Sequence, residues 1–146
     1  MKETEKLHFK IGLAATFWRK LPKWEIQLDK EIVKKGEMDS NDTVYVEFDH
    51  LLEDGPHVLS IQLKNKLNSD TVENADKTEI VKDLLLHIRS IEIDEIDLGQ
   101  LLWSKSRFVA DDTTRPTLGN CVDLGWNGSW ELSFDSPFYI WLLENM

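Results

Sequence analysis

The chain has 146 residues, 41% hydrophobic and 30% charged, which suits one globular domain with one core and excludes a disordered composition. Its formal net charge of -10 repels the phosphate backbone and an anionic leaflet, so nucleic acid and membrane surfaces are excluded as partners. The single cysteine, Cys121, allows no intrachain disulfide, the opening MKETEKLHFK lacks the apolar stretch of a signal peptide, and no apolar run reaches membrane-span length. The expectation is synthesis and folding in a cytoplasm.

Period-2 alternation dominates from residue 7 to residue 143, after a charged stretch, 1–6, read as an N-terminal arm. Leu7, Phe9, Ile11 and Leu13 share one face of a strand, with His8, Lys10 and Gly12 on the other. Trp24, Ile26 and Leu28 repeat the pattern, as do Val44, Val46 and Phe48. A turn at Glu53-Asp54-Gly55-Pro56 leads into a strand through Leu59, Ile61 and Leu63. The polar stretch 64–83 reads as a long loop. Alternation resumes through Leu84, Leu86 and Ile88 and continues to Ile91 and Ile93, where the shift to Ile96 predicts a bulge or a strand end. A short helical turn is expected within 99–107, carrying Leu101, Leu102 and Trp103, and 111–120 reads as loop. Trp130, Leu132 and Phe134 form a further strand. After Asp135-Ser136-Pro137, the run FYIWLL is apolar on both faces and reads as a last strand, buried in the sandwich centre or at an interface. About eight strands, with turns roughly every ten residues, predict an all-β, two-sheet antiparallel sandwich or jelly roll spanning 1–146 as one domain.

Chemistry-bearing patterns are sparse. His8, His50, His57 and His87 fall in no recognisable catalytic frame, and there is no G-x-S-x-G, no phosphate-cradling glycine loop and no zinc-ligand spacing. His87 reads as a solvent-side strand residue and Cys121 as a partly buried structural thiol. The chain is therefore read as a non-enzyme. The acidic residues Glu92, Asp94, Glu95 and Asp97 read as a solvated strand face. Loop 64–83 offers Asn65, Asn68, Asp70, Asn74, Asp76 and Asp83, and loop 111–123 offers Asp111, Asp112, Asn120 and Asp123. These are first of all turn formers, but Asp70, Asp76, Asp111, Asp112, Asn120 and Asp123 are also the oxygen donors that calcium takes. No other cofactor is expected. Of the six tryptophans, Trp24, Trp130 and Trp141 lie in strands and suit core packing. Trp126 in GWNGSW, Trp18 near Pro22, and Trp103 are the candidates for exposure and for stacking on sugar rings.

The segments GPHVLSIQLKNK and VKDLLLHIRSIEIDEIDLG resemble the core of calcium-dependent, xylan-binding-type carbohydrate-binding modules. Those modules pair a G-x-H-x-L-x-I-x-L-x-N strand with a returning D-L-x-I-x-x-I-x-I-D-G strand. The matching residues are Gly55, His57, Leu59, Ile61, Leu63, Asn65, Asp83, Leu84, Ile91, Ile93 and Asp94. The resemblance implies a jelly-roll sandwich and a calcium-and-sugar loop near the C-terminus, to which Asn120–Trp126 (NCVDLGW) is the nearest match. The ending GWNGSWELSFDSPFYIWLLENM also resembles small virion proteins of tailed phages of aquatic bacteria. That implies a virion location and an assembly role in capsid decoration, neck or tail. Self-association or virion proteins would then be the partners, with Phe138, Tyr139, Trp141 and Leu143 as interface candidates. The leading expectation is this non-catalytic assembly module, and the alternative is a module that recognises a host or polysaccharide glycan.

Overall fold

The computed structural model describes residues 3–146, and two antiparallel sheets account for most of it. In chain order the strands are β1 (Thr4–Thr16), β2 (Lys23–Leu28), β3 (Glu31–Glu37), β4 (Val44–Glu53), β5 (Gly55–Leu63), β6 (Val72–Glu73), β7 (Ile80–Lys82), β8 (Leu85–Ile93), β9 (Ile96–Asp97), β10 (Ser106–Ala110), β11 (Leu118–Gly119), β12 (Asp123–Leu124) and β13 (Gly128–Ser136). Among the described residues are also two α-helices, α1 (Leu101–Ser104) and α2 (Phe138–Asn145), and one short 3-10 turn, Asn68–Asp70. One sheet runs β12-β8-β1-β4, with β9 folded back on β8; the other runs β11-β10-β13-β5-β2-β3. Strands β6 and β7 form a small separate hairpin. Among the described residues the strands of five residues or more are β1, β2, β3, β4, β5, β8, β10 and β13, and the fold is the expected all-β sandwich.

The alternating apolar residues face each other across the two sheets. Leu7, Phe9, Ile11 and Leu13 of β1 are fully buried against Ile26, Leu59, Ile61, Trp130 and Leu132 of the opposite sheet's strands. Phe9 stacks on Phe48 of β4 at 4.9 Å and tilts against Phe134 of β13 at 6.3 Å, joining the two layers. Tight reversals shape the edges. Asp29 and Lys30 between β2 and β3, and Asp94 and Glu95 between β8 and β9, all adopt positive φ, as two-residue hairpin turns require. The second of these is why the apolar spacing shifts after Ile93: β8 ends there.

Three features differ from the sequence expectation. The run FYIWLL is helix α2, not a strand. Its buried residues, Phe138, Trp141 and Leu142, fall at helical spacing, and the ring edges of Phe138 and Trp141 meet Phe134 at 6.4 and 6.2 Å. A run apolar on all sides satisfies either periodicity, and packing over the sandwich end decided for the helix. Strand β3 escaped notice because both of its faces are largely exposed at a sheet edge, leaving no alternation to read. Within the expected arm 1–6, residues 4–6 already belong to β1, which begins at Thr4; residues 1 and 2 lie outside the described residues.

Gly128 begins β13 where the chain passes closest to β10. A Cβ there would lie 2.5 Å from the Val109 carbonyl oxygen and 2.9 Å from the Ala110 Cα, both backbone atoms that cannot swing aside. Gly128→Ala is expected to cost about 1–3 kcal/mol, the usual cost of overpacking. Chemical denaturation checks this, and a change under about 0.5 kcal/mol, the range of ordinary surface substitutions, would contradict it.

Candidate functional site

Antiparallel pairing gathers several loops at one end of the sandwich. Strands β5 and β10 end there, β13 begins there, and the start of β8 pairs with the end of β1. The connections 64–71, 83–84, 111–117 and 125–127 therefore converge, with the loop after β1 beside them. Between them lies a cavity of about 580 Å³. Its walls include Lys66, Thr71, Asp83, Asp111, Asp112, Arg115, Trp126 and Asn127.

The floor is held by hydrogen bonds that cross between loops. The Lys66 ammonium, largely buried, donates to Asp83 Oδ1 at 2.7 Å and to the Gly125 carbonyl at 2.5 Å. Asp83 also accepts from Thr71 Oγ1 at 2.7 Å and from the Leu84 N–H at 2.8 Å. Burial pushes the Asp83 carboxyl up, but these donors outweigh it and hold the group below the usual carboxylate range. The Asn127 amide pairs with the backbone of Lys66, accepting from its N–H at 2.8 Å and donating to its carbonyl at 2.9 Å.

Trp126 stands in one wall. Its indole stacks on Phe108 at 5.8 Å, and the guanidinium of exposed Arg115 lies 4.4 Å over the ring. Its Nε1–H is buried with no acceptor among the described residues. Trp126 is thus half-buried, with one face covered by the Arg115 guanidinium, rather than freely exposed as the sequence suggested. Trp18 is 40% exposed in the neighbouring loop, donates to the Asp70 carbonyl at 2.9 Å, and carries the Lys82 ammonium 4.7 Å above its ring. Trp103 is 51% exposed on α1, away from the cavity, beside Gly99, Gln100 and Val122.

The six oxygen-bearing residues expected as calcium donors do not converge. Asp70 is fully buried and receives the Lys20 ammonium at 2.6 Å, the Arg19 Nε–H at 2.7 Å and the Leu67 N–H at 2.7 Å, so its lone pairs are taken. Asp76 is exposed in the turn of the β6–β7 hairpin. Asp111 and Asp112 line the cavity, but Asp112 is occupied in capping Thr114 through its N–H at 2.9 Å and its hydroxyl at 2.7 Å. Those bonds from Thr114 hold the Asp112 carboxyl below its ordinary value. Asn120 is exposed in a left-handed conformation, and Asp123 lies 2.7 Å from His87 Nδ1. Among the described residues no three His, Cys, Asp or Glu side chains are grouped to hold a metal ion. The donor set present does not fit a bound calcium ion.

Tertiary structure also pairs each histidine in ways the sequence hid. His57 Nδ1 lies 2.5 Å from Asp29, and His8 lies 2.6 Å from Asp49 and 3.0 Å from Glu47. His87 links Thr16 Oγ1, at 2.9 Å, to Asp123 in the order of a hydroxyl–imidazole–carboxylate relay. Neither Thr16 nor His87 lines the cavity, and the contacts tie the edge strand β12 to β8 and β1. Cys121 is half-buried with its thiol pushed up by burial, which suits an inert structural thiol. Of the interface candidates, Phe138 and Trp141 are packed into the core, where the sequence also placed Trp141, whereas Tyr139 and Leu143 are 50% and 73% exposed on α2.

A concave cavity lined by an aromatic ring and a few convergent polar side chains has the form of a small-ligand site. Among solved structures the chain is similar to vCBM60, described as linking two families of calcium-dependent carbohydrate-binding modules by circular permutation. The TM-score is 0.58 at 9% identity, over 86% of this chain and 89% of that one. It is also similar to vCBM60 in complex with galactobiose, with a TM-score of 0.53 at 9% identity, over 88% of this chain and 97% of that one. At this identity the likeness is one of fold. No family model and no curated protein matches the chain. Nothing in these comparisons carries a virion role. No helix among the described residues is long and apolar enough to cross a membrane.

The Asp70 pair anchors the loop after β1 to loop 64–83. Burial pushes the Asp70 carboxyl up, but the bonds from Lys20, the Leu67 N–H and Arg19 prevail and hold it at about 2, against 3.8 for a free side chain. A depressed native pKa stabilises the fold above the unfolded value and loses that effect as the pH falls from about 4 towards 2. The ionic part is worth about 1–2 kcal/mol once the solvent around Arg19 and Lys20 is allowed for. Urea unfolding at stepped pH is expected to show a shallower acid limb in Asp70→Asn, and identical limbs would refute the assignment.

Proposed function

We propose that the chain is a non-catalytic glycan-binding module whose sugar seat is the loop-end cavity. The observation that carries this reading is the cavity itself, in which the stacked Trp126–Arg115 pair stands beside the Asp111 carboxylate and the Asp112 oxygen that Thr114 does not take, with Asn127 and Thr71 held in place in the same walls. Its volume, about 580 Å³, lies within the roughly 300–1,000 Å³ typical of small-ligand sites. The apolar C–H face of a sugar packs on an indole or guanidinium plane, and carboxylates and amides accept or donate to its hydroxyls. The fold shared with a module seen in complex with galactobiose supports the same reading.

The ligand is a neutral oligosaccharide. Three carboxylates, those of Asp83, Asp111 and Asp112, line the cavity with two cations, and one of these, Lys66, is consumed by Asp83. With a net charge of -10 on the whole chain, a uronic or sialic acid would meet repulsion there.

A glycan array followed by calorimetric titration tests the proposal. A neutral glycan is expected to bind, with Trp126→Ala weakening it at least about tenfold, or about 1.4 kcal/mol. Arg115→Ala is expected to weaken it less, and Trp103→Ala, far from the cavity, should leave it unchanged. Because Trp126 packs on Phe108, its variant is scored only with a native-like circular dichroism spectrum, and Arg115→Ala serves if it unfolds. A blank array, or equal loss in Trp103→Ala, would sink the reading.

A further inference from the structure

We infer that the Lys66 ammonium does the loop-bridging work of a metal ion in this chain, so that its loop cluster forms and binds without calcium. For sugar binding the inference rests on the function proposed above; for the loops themselves it does not.

The geometry is that of a cation site filled from within. A carboxylate oxygen, Asp83 Oδ1, and a carbonyl oxygen, Gly125 O, converge on one point 2.7 and 2.5 Å away, and that point is Nζ of Lys66. Carboxylates and loop carbonyls are the ligands calcium uses. Here they come from two loops distant in sequence, and the ammonium binds both. The lysine side chain is 8% exposed and that of Asp83 is 15% exposed, so neither group can exchange its partner for water without opening the loops. The backbone of Lys66 is fixed in the same place by Asn127. The second inward-facing carboxylate of loop 64–83, Asp70, is likewise neutralised by side-chain cations, Lys20 and Arg19. Calcium needs six to eight oxygen ligands, and here the best-placed carboxylates already hold cations that would repel it. One solved structure of similar fold is described in connection with calcium-dependent modules, whereas in this chain lysine and arginine side chains take the inward-facing carboxylates.

Lys66 is a positioning residue under this inference: it sets the wall that carries Gly125, Trp126 and Asn127. The test measures thermal melting and calcium titration calorimetry on the full chain, in chelator and in millimolar calcium, for wild type, Lys66→Met and the exposed control Lys64→Met. Wild type is expected to melt at the same temperature in both buffers and to show no calcium heat. Lys66→Met is expected to melt several degrees lower in both, and hydrogen exchange in 80–85 and 123–127 should accelerate while exchange in β1 and β5 does not. The control should match wild type. A calcium-dependent rise in the wild-type melting temperature overturns the inference, as does unchanged exchange in Lys66→Met. If that variant fails to fold, the wild-type melting and calorimetry still decide. Where a glycan is found, its affinity should be equal in chelator and calcium. A blank array alongside calcium-insensitive melting removes the glycan reading and leaves the clamp standing.

Discussion

Phe9 lies where the two sheets of this sandwich meet, and the rest of the structure depends on that meeting. Each sheet has one apolar face, and neither can shed water except against the other. Phe9 stacks on Phe48 within its own layer and tilts onto Phe134 in the opposite one. Phe134 continues the contact to Phe138 and Trp141, so α2 closes that end of the core. At the other end β13 carries Trp130, whose indole N–H donates to the Cys121 carbonyl at 2.7 Å. Phe108 of β10 there supports Trp126. Aromatic side chains thus brace the core at both ends, at the closing helix and at the cavity wall.

The two ends meet different physical demands. The helix end is sealed by apolar packing, aided by Glu5, whose carboxylate accepts from the Phe138 N–H at 2.7 Å and from the Ser136 hydroxyl. The loop end cannot be sealed in that way, because its connections are polar and their backbone groups need partners. It is organised by polar contacts that cross between loops: Lys66 with Asp83, Asn127 with the backbone of Lys66, and Asp70 with Arg19 and Lys20. Such contacts are directional, and a buried charge left unpaired is costly, so they fix loop positions more sharply than apolar packing would. A binding cavity gains from that fixity, since ordering its walls in advance lowers the cost of binding.

Much of this was legible in the amino-acid order, because period-2 burial is a local signal. The faces of β1, β2, β4, β5 and β13 follow directly from their alternating residues, and the helical turn at Leu101–Ser104 and the strand end at Ile93 follow from spacing. The site was less legible. Trp126 stands out by composition, and Asp83 was noted among the oxygen-rich residues of its loop. Lys66, which holds Asp83, carried no signal, for a lysine in a polar loop reads as solvated. Asp70 looked like a metal donor, since sequence does not show the Arg19 and Lys20 side chains that reach it from about fifty positions away.

The sequence by itself determined an all-β sandwich with an acidic balance of charge, because hydrophobic alternation and charge are properties of neighbouring residues. Only the tertiary structure decided that FYIWLL is a helix closing the core, that Trp126 lies beneath Arg115, and that the carboxylates of loop 64–83 hold lysine and arginine. Those outcomes depend on which segments come together, and it is sheet pairing that brings their loops to one end of the sandwich.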